Sequence, residues 1–110
     1  MTVIDPDALD QVVRALQRSR ELLEQLVIRG VRTAGPAELD RLDALREELG
    51  RHGTTHLAGR LHALLVAMRN DDPAAAVALL RAQATLHVLE RVLTMRVVEA
   101  ELAGAGGGAP

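Results

Sequence analysis

The side chains that could do chemistry are four histidines, one serine, a few threonines, and thirteen arginines set against fifteen carboxylates. His52 and His56 stand at i,i+4 spacing, which on a continuous helix would aim two imidazoles at one metal ion. Gly53 falls between them, and a helix start at Thr54 or Thr55 separates them. His62 falls on a different side of its helix from His56, and neither pair encloses a carboxylate. This spacing predicts surface or loop histidines and no metal site. Ser19 lacks the Gly-x-Ser-x-Gly surroundings of an activated nucleophile. Glycine-rich sequence occurs only in the C-terminal tail, so there is no phosphate loop. No catalytic residue and no cofactor are expected.

Two further groups stand out. Arg20 lies inside the apolar arc of its helix, between Leu16, Val13 and Val27, where a guanidinium would hold an anion or a buried ion pair unless its stem carries the head outward. Gln83, His87, Glu90, Arg91 and Thr94 gather five hydrogen-bonding groups on one strip of the last helix. They could set the register of a helix pair, face water, or place His87 beside Glu90 as a base and its orienting acid.

What is missing bounds these readings. Not one of the 110 residues is Phe, Tyr, Trp, Cys or Lys, although 48% are hydrophobic. A GC-rich genome would produce the same bias, but the consequence is independent of the cause. Base-stacking platforms, thiol chemistry, Schiff-base lysines and tyrosine acids are all absent. The net charge of −2 argues against nucleic acid and anionic membrane as partners. A helix-turn-helix reading of the region around Thr54 and Thr55 is weak, because Arg51, Arg60 and Arg69 are offset by Glu47, Glu48, Asp71 and Asp72. The acidic N-terminus does not read as a signal peptide, and the longest apolar run, Ala74 to Leu80, is too short to span a bilayer. A soluble cytoplasmic protein is expected.

The elements that must position these groups are helical. Asp5 and Pro6 open a first helix and Gly30 closes it. Pro36 opens a second, with Leu39, Leu42, Leu45 and Leu49 at helical spacing up to the Gly50–Gly53 break. Thr54 or Thr55 caps a third, and Asp72 with Pro73 opens a fourth that has no breaker before Gly104. The reading is one all-α domain over residues 1–103, with a disordered Gly/Ala-rich tail over 104–110. The first and fourth helices are about 36 and 46 Å long, and the second and third about half that. Laid end to end, the short pair matches a long helix, giving an antiparallel bundle of three layers assembled as a dimer.

The first helix has one apolar half and one polar half. The fourth has two apolar stripes. Leu79, Ala82, Leu86, Leu89, Leu93, Val97 and Ala100 form one, while Val77, Leu80, Ala84, Val88, Met95, Val98 and Leu102 lie roughly opposite. A helix with two such stripes must bury both, so it sits centrally in its own fold or meets another protein. The expectation is a non-catalytic interaction module, docking through the second stripe onto its own copy or another helical protein. The competing expectations are a small helical enzyme or ligand binder with an Arg- and His-lined pocket, and, more weakly, a DNA-binding regulator.

Overall fold

The computed structural model describes residues 6–107, and its elements are helices: α1 (Pro6–Arg29), α2 (Pro36–Arg51), α3 (Thr55–Arg69) and α4 (Ala75–Gly107), with a 3-10 turn at Val31–Thr33. No strand occurs among the described residues. The all-α expectation therefore holds. The Asp5 cap, the rest of the acidic N-terminus over residues 1–5 and the last three residues of the tail lie outside the described residues.

Local hydrogen bonds explain each stop. Gly30 ends α1 with φ 89°, its amide donating to the Leu26 carbonyl at 2.8 Å. Pro36 starts α2, where the Glu38 carboxylate accepts the Gly35 amide at 2.9 Å. At the end of α2 the Thr54 amide donates to Leu49 O and the Gly53 amide to Gly50 O, the paired bonds of a Schellman stop. Gly53 holds the left-handed position with φ 82°. The end of α3 repeats the pattern, Asp72 N–H to Ala67 O and Asp71 N–H to Met68 O. Here Asp71, not glycine, takes the left-handed position at φ 48°.

Several boundaries differ from expectation. α2 runs through Gly50 to Arg51, because that glycine costs only about 1 kcal/mol inside a helix whose last turn is otherwise closed. The Thr54 hydroxyl does not cap α3; it donates back to Leu49 O at 2.7 Å. α4 begins at Ala75, after a turn in which Asp72 accepts the Ala74 amide at 2.9 Å. It continues to Gly107, so residues 104–107 are helical where a disordered tail was expected. Extending an existing helix requires no new nucleation, which lets it run into a glycine-rich segment.

The packing corrects the three-layer reading. α2 and α3 do not lie end to end; they pack along one another, α2 also packs on α1, α3 on α4, and α4 on α1. The ion pairs Arg18–Glu48 and Arg29–Glu38 show α1 and α2 running antiparallel. The left-handed step at Gly53 reverses the chain instead of kinking it.

A consequence of length follows. At about 1.5 Å per residue, the α2–α3 hairpin covers about 24 Å, against about 36 Å for α1 and about 50 Å for α4. The described chain measures 61 × 22 × 20 Å. Among the described residues, those buried in α1 fall between Ala15 and Leu26 and those buried in α4 between Ala75 and Leu86. With Leu42, Leu45 and Leu49 of α2 and Leu57, Leu61, Leu64 and Leu65 of α3, they form one core. Beyond it, residues 7–14 of α1 and 87–107 of α4 continue as a two-helix arm. Its apolar contacts, Leu9, Val12 and Val13 toward Leu89, Leu93 and Val97, are only half-buried.

Candidate interaction surface

α4 meets α1 and α3 with the stripe that begins Leu79, Ala82 and Leu86, all buried. Leu89, Leu93 and Val97 continue it half-buried along the arm, and Ala100 is exposed. Opposite, all seven of Val77, Leu80, Ala84, Val88, Met95, Val98 and Leu102 are exposed. Leu80, Met95 and Leu102 show 63%, 62% and 66% of their surface to solvent. Val92, 42% exposed, lies at the edge of this stripe on the helical wheel and also lines the groove toward α1. This stripe is therefore no part of the chain's own core.

The polar strip is divided. Glu90 is half-buried beneath α1 and forms an ion pair with Arg20 at 3.2 Å, with His87 Nδ1 at 3.9 Å; the Thr94 hydroxyl donates to the Glu90 carbonyl at 2.8 Å. His87, Arg91 and Thr94 are exposed, and Gln83 is half-buried. Arg20 is not buried either: its side chain is 45% exposed and its partner is that same Glu90. The group buried beside it is Ser19, whose hydroxyl donates to Ala15 O at 2.8 Å. Arg20 thus clips the arm's base to the core end, and an anion would have to displace a carboxylate already in place.

The remaining candidates do not converge. His52 follows the last turn of α2, while His56 and His62 are exposed on α3. Among the described residues no three His, Cys, Asp or Glu groups come together to hold a metal ion. A groove of about 340 Å³ between α1 and α2 is lined by Arg18, Glu21, Gln25, Arg41 and Glu48, without histidine, and Arg18 and Glu48 are bonded to each other across it at 2.7 Å. A larger groove of about 590 Å³ opens beside the α2–α3 turn, lined by Leu9, Val12 and Leu16 of α1, Leu89, Val92, Leu93 and Arg96 of α4, and Arg51, His52 and Thr54 at the turn. Its lining is mainly aliphatic, with two arginines and one histidine among it, and it marks the place where the α2–α3 hairpin gives way to α1 and α4. Backbone amides of Glu38 itself and of Gly35 hold the Glu38 carboxyl below its usual range, aided by Arg29 and Arg41. That shift belongs to the start of α2 and not to a reactive site.

No helix among the described residues is long and apolar enough to cross a membrane. No protein-family model matches the chain, and neither does any curated protein or any solved structure.

Proposed function

We propose that this chain is a non-catalytic interaction module whose outward α4 face docks on a helical protein, either a second copy or another partner. The observation carrying this reading is the run of exposed Val, Leu and Met side chains along a single face of a 33-residue helix. Each large side chain that could be buried and is not forgoes about 1.5–3 kcal/mol. Contiguous patches of several hundred Å² on a monomer generally mark an interface. Arg18, Arg20 and Glu90 are engaged in ion pairs within the chain.

Val88→Glu and Met95→Glu test the reading. Both variants should keep wild-type helicity and melting while losing association, measured as self-association and as retention of a protein from native-host extract. Unfolding of both variants would make the stripe core. Identical behaviour of wild type and variants in both assays would remove the docking role.

A further inference from the structure

We infer that the occupant of the α4 face is a second copy of the chain, lying antiparallel with its two-fold axis near residue 90. This rests on the docking reading above and names its partner. The exposed stripe reads nearly the same in both directions. Reversed about a point between residues 89 and 90, Val77 comes opposite Leu102, Leu80 opposite Val98, Ala84 opposite Met95, and Val88 opposite Val92, each to within one residue. The long Met95 thus faces the small Ala84 of the copy, a knob over a hole. A parallel pair in register would stack Met95 on Met95 and leave Ala84 facing Ala84.

The flanks agree with the stripe. At 100° per residue, Leu80 and Val98 both fall about 60° to one side of Met95, and Arg81 and Glu99 both about 40° to the other. A two-fold axis perpendicular to an antiparallel helix pair keeps each flank on its own side, so residues that meet must share a flank. These do. Arg81 and Glu99 are both exposed, and among the described residues neither has an ion-pair partner within the chain. The reversal sets Arg81 of one copy beside Glu99 of the other, twice by symmetry. Parallel pairing exchanges the flanks, so Arg81 and Glu99 would each meet apolar residues of the copy and gain no opposite charge, and the charges therefore select orientation. Arg91 opposes the arrangement, since it falls near the axis beside its own copy with its exposed head free to extend into water.

The extent of the face is also suitable. Residues 77–102 span about 39 Å of helix. Two such strips with their bordering charges reach the low end of the ~1,200–2,000 Å² of stable interfaces, so dimerisation is expected in the micromolar range. Each arm would then lie against the four-helix end of the other copy, a wall held rigid by its own core.

The chain has no cysteine, which allows a direct test of orientation. Ala84→Cys and Met95→Cys are prepared separately and oxidised alone and mixed. The mixture should yield the 84–95 cross-linked dimer, and each variant alone should yield little, because like positions stand about 16 Å apart along the pair. Cross-linking of each variant with itself would show a parallel pair and overturn the inference. Sedimentation equilibrium provides a readout that leaves the apolar face untouched: R81E and E99R should each weaken the dimer about 10-fold, and the R81E/E99R double variant should recover most of the loss. A wild-type chain that stays monomeric up to about 500 µM overturns the inference as well. If a native-host protein is nonetheless retained by the wild type and lost with Met95→Glu, the docking reading stands and only its identification with a second copy falls.

Discussion

The two ends of α1 and α4 are built from the same Leu, Val and Ala alphabet and fare differently. At one end Leu16, Leu22, Leu23 and Leu26 of α1 and Leu79, Ala82 and Leu86 of α4 are buried. At the other, Leu9, Val12, Val13, Leu89, Leu93 and Val97 repeat the spacing and remain half-exposed. The difference is the α2–α3 hairpin, which closes four helices around the first end and stops near Leu16 and Leu89. Burial here is set by how many helices surround a position and not by what the residue is. A two-helix arm has one shared seam, so each of its helices keeps an outward side that only another chain can cover.

The largest expected effect of breaking this contrast is in the closed end. Leu61→Ala or Leu23→Ala should destabilise the fold by about 2–5 kcal/mol in denaturant unfolding, because both side chains are fully enclosed and their removal leaves a cavity. Leu93→Ala, the same change in the arm, should cost on the order of 1 kcal/mol, since the site is already partly open to water. Equal losses at the two ends would abolish the distinction between core and arm.

How much of this could be read from the sequence differs by feature. Gly30 and Pro36 marked their helix boundaries because capping needs only local chemistry, whereas Asp72 marked the turn that precedes α4. Both stripes of α4 were legible for the same reason, since 100° spacing is a property of the segment alone. The fate of the Gly50–Gly53 segment was not. A kink and a reversal use the same residues, and what decides between them is the left-handed φ at Gly53 with two hydrogen bonds to Leu49 and Gly50. Laying α2 and α3 end to end hides the arm, because the arm exists only where α2 and α3 fall short. Arg20 falls within the apolar arc of α1, and its stem leads its head to Glu90 of α4 in half-open surroundings.

Smaller effects sharpen the comparison of helix ends. α2 and α3 stop with the same pair of hydrogen bonds, one with Gly53 and the other with Asp71 in the left-handed position. Asp71→Gly should therefore raise stability by up to about 1 kcal/mol, and Gly53→Ala should lower it by a similar amount, both read as shifts in melting temperature. Unchanged melting for both variants would show that neither stop is under strain.

The smallest effect concerns pH. Glu38 has its carboxyl lowered by the amides at the start of α2, so the folded state binds its proton less readily than the unfolded chain. Its contribution is complete above the ordinary carboxylate range and is lost as pH falls through the lowered value. Glu38→Gln should flatten the acid limb of stability against pH and leave the neutral limb parallel to wild type. An acid limb identical to wild type would show that the cap contributes nothing.

Sedimentation equilibrium of wild type and Met95→Glu from about 1 to about 500 µM tests the outward face of α4 most directly. The expected wild-type mass climbs from 11.8 kDa toward twice that value with concentration, while Met95→Glu stays at 11.8 kDa with unchanged melting. A wild-type mass fixed at 11.8 kDa, or an assembly that Met95→Glu leaves intact, would contradict self-association through this face.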